Sequence, residues 1–144
     1  MIRFSIGLIF SSCLRNVFLL RKQTPAWQVG FLHGVGGKKE GHESFADCMA
    51  REGREEAGFQ GEWISFARIS GNNGIGNLEA EVFYSIASSG SPEPCGREGE
   101  KIERTPIADI DISQLVSQLP LAMLIPTALA HLRSEKKFRT EVIY

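Results

Sequence analysis

The stretch that decides how this chain is read runs Gly37-Lys38-Lys39-Glu40-Gly41-His42-Glu43-Ser44-Phe45-Ala46-Asp47-Cys48-Met49-Ala50-Arg51-Glu52-Gly53-Arg54-Glu55-Glu56-Ala57-Gly58-Phe59. From Ser44 to Ala57 it holds no proline, and Phe45, Ala46, Met49, Ala50, Gly53 and Ala57 recur at helical spacing. Ser44 with Asp47 three residues on resembles a capping box, and Gly58 suits the stop, so the stretch predicts a helix. On that helix Glu52, Glu55 and Glu56 share an arc of about 100°.

Three carboxylates gathered this way repel, at roughly 0.2–0.5 kcal/mol per pair. They lie toward the helix C-terminus, where the macrodipole favours cations. Gly53 inside the helix costs about a further 1 kcal/mol relative to alanine. One arrangement that tolerates this is a solvated acidic face partly neutralised by Arg51 and Arg54. The other is a hard divalent cation, which takes oxygen ligands from carboxylates and substrate phosphates.

The full spacing separates the two. Gly37, five residues, Glu43, seven residues, then Arg51-Glu52-x-x-Glu55-Glu56-x-Gly58-Phe59 resembles the Nudix box of the Nudix hydrolases. One position departs, since the box has an aliphatic residue where Gly53 stands, and Val35 precedes Gly36-Gly37 where many relatives have proline. The resemblance implies that Glu52, Glu55 and Glu56 are metal-binding and catalytic carboxylates, with Glu52 ligating metal or activating the water. It also implies that Arg51 and Glu43 brace the loop and orient that glutamate. The carbonyl of Gly36 or Gly37 is then a further metal ligand, and an acidic residue of a later loop, Glu98 or else Glu100, completes the site.

Working outward, Ile2 to Phe10 and Val17 to Leu20 read as strands around the turn Ser11–Asn16. Gln23-Thr24-Pro25 breaks the pattern, and Phe31 to Val35 is a further short strand ending in glycines. Glu62 to Ile69 and Leu78 to Ile86 form a strand pair around the turn-rich Gly71-Asn72-Asn73-Gly74. Ser88 to Glu100 is a polar loop, and Thr105 to Leu119 carries a weak strand and a short helix. Pro120 to Leu132 is a C-terminal helix in which Pro126 marks a kink or a boundary. This interleaving predicts one α+β domain over 1–144 with a mixed sheet, and the resemblance implies a Nudix-type α/β/α sandwich with that sheet between the box helix and the C-terminal helix.

Composition excludes several classes. Sixteen basic against seventeen acidic residues leave a net charge of −1, unlike a dedicated nucleic-acid binder. The three cysteines, Cys13, Cys48 and Cys95, form no CxxC pair and fit reduced thiols. The longest apolar run, Leu121 to Ile125, is far short of the ~20 residues a membrane span needs. Phe4 to Phe10 behind Arg3 resembles a signal-peptide core, but no A-x-A-like site follows and Arg15, Arg21 and Lys22 arrive quickly. The chain is therefore expected to be cytoplasmic, without nucleic-acid or membrane partners.

Other features have plainer readings. Gly34-Val35-Gly36-Gly37-Lys38 lacks the spacing of a P-loop, having Leu32 and Lys39 where that motif needs Gly and Ser/Thr. His33, His42 and His131 have no metal-ligand spacing and read as surface or loop residues. Phe31, Phe83 and Tyr84 read as core, Cys48 as a small buried hydrophobe, and Trp27 as sheet packing or a base-stacking ring. The resemblance implies a Mg²⁺- or Mn²⁺-dependent pyrophosphohydrolase acting on a small nucleotide substrate, with a homodimer as the expected assembly. A nucleoside triphosphate, oxidised or not, cut to monophosphate and pyrophosphate is the favoured case. ADP-ribose, a nucleotide sugar, dinucleoside polyphosphates and a non-catalytic nucleotide-binding module are the alternatives.

Overall fold

The computed structural model describes residues 1–72, 74, 76–97, 99–117 and 119–143. Their elements in chain order are β1 (Ile2–Ser11), β2 (Asn16–Arg21), β3 (Leu32–His33), β4 (Val35–Lys38), α1 (Phe45–Ala57), β5 (Ile64–Asn72), β6 (Asn77–Ala87), β7 (Lys101–Pro106), α2 (Leu121–Arg133) and β8 (Thr140–Ile143).

β1 organises the sheet. One edge pairs in parallel with β6 over its whole length, from Ile2 opposite Leu78 to Ser11 opposite Ala87. The other edge is shared: Phe4–Gly7 pair antiparallel with β4, whereas Ile9 and Phe10 pair with Phe18 and Val17 of β2. The sheet therefore forks at Gly7-Leu8, and β4 leaves the main path β3-β2-β1-β6-β5-β8 as one prong. β7 pairs with β2, and β8 adds a parallel edge to β5.

Period-two alternation along the strands sends side chains to two cores, one on each face. On one face Leu8, Phe10, Val17, Leu19, Ala80, Val82 and Tyr84 pack with Leu121, Leu124, Ile125 and Ala128 of α2. On the other Ile9, Phe18, Val35 and Phe83 pack with Met49 and Ala57 of α1. The result is the α/β/α sandwich expected from the sequence.

α1 begins as its residues dictate: Ser44 Oγ accepts from the Asp47 N–H at 3.0 Å, and the Asp47 carboxylate accepts from the Ser44 N–H at 3.4 Å. Gly58 closes it in the left-handed conformation, with φ 56°. Pro126 neither ends nor divides α2. Pro126 and Ala122, whose carbonyl loses its helical partner, both lie on the exposed side, where water can replace the missing bond.

Several expectations change. The stretch Phe31 to Val35 splits into β3 and β4, with Gly36 and Gly37 inside a strand. A Cβ at Gly36 would lie 2.0 Å from Ser5 O, so only glycine lets β4 approach β1 there. Among the described residues of 105–119 there is no α-helix; they hold the end of β7 and two short 3₁₀ turns, Ile107–Asp109 and Ile112–Gln114. β8 had no counterpart in the sequence pattern. Phe31 is 39% exposed on the loop before β3, whereas Phe83 and Tyr84 are buried. His131 is buried rather than superficial: its Nδ1 meets Tyr84 Oη at 2.9 Å and its ring packs edge-on to Phe138. Cys48 is buried as expected, while Ala46 is exposed.

Candidate active site

The site is built where α1 crosses the β4 prong. Met49 and Gly53 face the sheet, which turns Glu52 and Glu56 onto the flank that meets β4. The Glu52 carboxylate rests on Gly37, where an added Cβ would stand 2.3 Å from Glu52 Oε1. The Glu56 carboxylate accepts a 2.7 Å hydrogen bond from the Gly36 N–H. The diglycine is thus the floor on which two carboxylates lie, and any side chain at Gly37 would displace the first of them.

Burial raises the pKa of both. It pushes Glu56 up to about 7, opposed by the Gly36 N–H and by the Lys22 ammonium. Glu52 is likewise raised by burial, against the pull of Arg51. A group whose charge is this poorly solvated gains from a cation of its own.

Arg51 is the organising cation. Its Nε and Nη2 donate to Glu43 Oε2 and Oε1 at 3.1 and 2.7 Å, a two-pronged pairing. Nη1 donates to Glu52 Oε1 at 2.9 Å and Glu55 Oε2 at 3.3 Å, and Nη2 also reaches the Lys38 carbonyl at 3.0 Å. This pairing holds the Glu43 carboxyl down at about 2. Glu43 also accepts from the Glu40 N–H at 2.7 Å, closing the loop between β4 and α1. Arg51 thus ties Glu43 and the Lys38 carbonyl to α1.

The helix-face repulsion is therefore offset partly by Arg51, which contacts Glu52 and Glu55; Arg54 makes no such contact. Among the described residues no three acidic, histidine or cysteine side chains are drawn together closely enough to cage an ion. Glu55 is about half exposed and is held by Arg51 at 3.3 Å. The Gly37 carbonyl accepts from the Cys48 thiol at 3.6 Å, and burial raises that thiol's pKa. The donor set still suits a hard cation: two half-buried carboxylates of raised pKa, a third at the rim, and backbone carbonyls beside them.

Glu98 lies outside the described residues. Its alternative, Glu100, lies near Glu56 and raises its pKa. Glu100 accepts from the Gln23 N–H at 2.6 Å and pairs with the Lys22 ammonium at 3.6 Å. Lys22 was not singled out by the sequence, because only the pairing of β2 with β7 brings it to Glu100. His33, at the end of β3, lies beside them; burial lowers it to about 4, and its Nδ1–H donates to the Gly34 carbonyl at 2.6 Å. Two surface hollows, of about 220 and 560 Å³, include no box residue, so neither outlines a substrate pocket here.

Known structures share this architecture. A MutT structure from work on the Aliivibrio salmonicida and Vibrio cholerae proteins is 25% identical, with TM-score 0.67 over 90% of this chain and 96% of its own. The NUDIX domain of Shewanella oneidensis NrtR, complexed with ADP ribose, gives TM-score 0.70 at 15% identity over 90% of this chain and 87% of its own. An ADP-ribose pyrophosphatase from Streptococcus suis gives 0.68 at 17% identity, over 97% and 98% respectively. No curated protein matches the sequence. The NUDIX domain family matches residues 1–123, more than four-fifths of the chain, and with the helix, diglycine strand and braced glutamates in place the chain belongs to the Nudix hydrolase family.

Proposed function

We propose that this Nudix hydrolase uses Mg²⁺ or Mn²⁺ held by Glu52, Glu55 and Glu56, with a carbonyl of Gly36 or Gly37, to cleave the anhydride of a small nucleotide. Its favoured substrate is a nucleoside triphosphate, converted to the monophosphate and pyrophosphate. The observation that carries this reading is the seating of the Glu52 and Glu56 carboxylates on Gly37 and Gly36.

When bound, the cation supplies charge neutralisation on the diphosphate and acidifies a water. The chain's residues do the rest. Glu52, or its neighbour Glu56 on the same flank of α1, accepts the proton of the attacking water. Arg51 fixes Glu52 by a charge-assisted bond and keeps the α1 entry loop closed through Glu43. Lys22, on the far side of Glu56, supplies a positive charge toward a phosphate chain. Phosphoryl transfer asks little covalent work of a protein, so positioning and charge dominate the acceleration.

The test is a product-resolved screen of nucleoside triphosphates, ADP-ribose and nucleotide sugars with Mg²⁺ and with Mn²⁺. Pyrophosphate released from a triphosphate supports the favoured substrate, and AMP plus ribose phosphate from ADP-ribose would replace it. Ligand binding with no turnover of any of them would identify a nucleotide-binding module instead.

A further inference from the structure

Gly53 departs from the box, and the structure shows what occupies the room. A Cβ built on Gly53 would stand 3.0 Å from Trp63 Cζ2 and 3.5 Å from Cε2. One built on Gly7 of β1 would stand 2.6 Å from Trp63 Cζ3. The indole is thus wedged between the box helix and the central strand, in the space an aliphatic side chain at position 53 would need. Phe59 packs edge-to-face against it, ring centres 5.5 Å apart, and both belong to the α1-side core.

The wedge has a defined relation to the carboxylates. Around α1, Glu52 and Glu56 lie on the flank that meets β4; Met49 lies between, and Gly53 lies on the far flank, about 100° round from Glu52. The helix is therefore gripped, with the Trp63 ring on one side and the Gly36-Gly37 backbone on the other. Its distance from β4 depends on the thickness of that ring.

We propose that Trp63 is a positioning residue for the box carboxylates. It replaces, from the start of β5, the aliphatic packing missing at Gly53, and so holds α1 close enough to β4 for Glu52 and Glu56 to lie on the diglycine. The inference rests on the reading of Glu52 and Glu56 as metal-binding groups.

The experiment measures Mn²⁺ binding without substrate, by the free-ion paramagnetic signal, for wild type and for W63A, W63F, G53A and the swap G53L/W63A. Circular dichroism and thermal melting accompany each. W63A should weaken Mn²⁺ binding about 10–100-fold, the range seen when groups supporting metal ligands are removed. G53A, which loses no side chain and only presses on the indole, should weaken it in the same direction. W63F should stay closer to wild type, and the swap should recover most of the loss. Where substrate is turned over, W63A should lower kcat more than it raises KM.

Wild-type affinity in both W63A and G53A would overturn the proposal, and so would a swap no better than W63A alone. Should W63A fail to fold, G53A decides alone: weakened Mn²⁺ binding supports the proposal and wild-type affinity overturns it. Wild type binding no Mn²⁺ would also overturn it. If Mn²⁺ binding follows the predicted order but no nucleotide is hydrolysed, the hydrolytic reading falls and the positioning role stands.

Discussion

The Glu56 carboxylate reaches across from α1 to take the Gly36 N–H at 2.7 Å, so the third glutamate of the box is tied to the strand and not to the helix's own arginine. Glu56→Gln keeps an oxygen for that N–H and removes a poorly solvated charge. The fold should survive with an unchanged or slightly higher Tm. Mg²⁺-dependent turnover should fall about 10²–10⁴-fold, the usual worth of a positioned proton acceptor. Near-full turnover in this variant, or in Glu55→Gln, would remove those residues from the machinery.

Gly37→Ala places a methyl 2.3 Å from Glu52 Oε1, closer than atoms can approach. Glu52 must move, because the strand backbone beneath is fixed by pairing with Ser5. Activity should drop at least about tenfold, as for other misplacements of around an ångström. The accompanying loss of stability should be about 1–3 kcal/mol, the cost of overpacking. Denaturant unfolding and kcat/KM on one preparation check both.

Arg51 donates to Glu43, Glu52, Glu55 and the Lys38 carbonyl from one planar fork. Arg51→Lys preserves charge but not the two-pronged geometry. It should therefore lose most of the activity lost by Arg51→Ala, with about 1–3 kcal/mol lost from stability, as for hydrogen bonds to charged groups. A lysine variant with wild-type kcat would show that charge alone suffices.

On acidification from pH 8, groups of opposite sign titrate first. Glu56, raised to about 7 by burial, gains stability as it protonates, while His33 and His131, lowered by burial, lose it. Burial beside Tyr84 and Lys137 lowers the His131 pKa, so the unfolded chain binds a proton more readily. The stabilisation is therefore present above the unfolded value near 6.5 and is lost as pH falls below it. Glu81 is opposed by burial, but bonds from Ser65, Arg139 and Arg68 outweigh it and lower its pKa. Glu43 is lowered to about 2 by Arg51. Their contribution is present above the carboxylate value near 4.5 and disappears below it. Melting curves from pH 8 to pH 3 check this. Relative to its own pH 8 value, His131→Gln should lose less stability than wild type between pH 7 and 5, Glu56→Gln more, and Glu81→Gln less below pH 5.

Arg139→Ala tests what the C-terminal strand contributes. Its Nη2 donates to both oxygens of the buried Glu81, at 2.9 and 3.0 Å. Removing it leaves that carboxylate to Arg68 and Ser65 and should cost about 1–3 kcal/mol in urea unfolding, while kcat holds. Unchanged stability would mean that Arg68 alone satisfies Glu81.

The chain's local chemistry was legible and its long-range contacts were not. Ser44, Asp47 and Gly58 declare α1 to within a residue, because capping acts over a single turn. The Arg51–Glu43 brace follows from the box spacing. Lys22 could not be placed beside Glu56 without the β2–β7 register, which depends on tertiary packing. β8 was missed because Thr140–Ile143 is a strand only through its pairing with β5, a contact set by tertiary packing. His131 looked superficial because nothing in Ala130-His131-Leu132 reveals Tyr84 beneath it. Gly53 read as a defect until Trp63 was seen to fill its place.

That exchange carries a lesson for tracing descent. A tryptophan seated on β5's threshold and a bare helical notch form a lock and key that must be inherited as a unit. A lineage moving to a branched residue in the notch has to pass through an ancestor that is hollow there, if the indole goes first, or clashing, if it goes last. Position 63, outside the box itself, is thus where sister sequences bearing the same notch should betray their kinship.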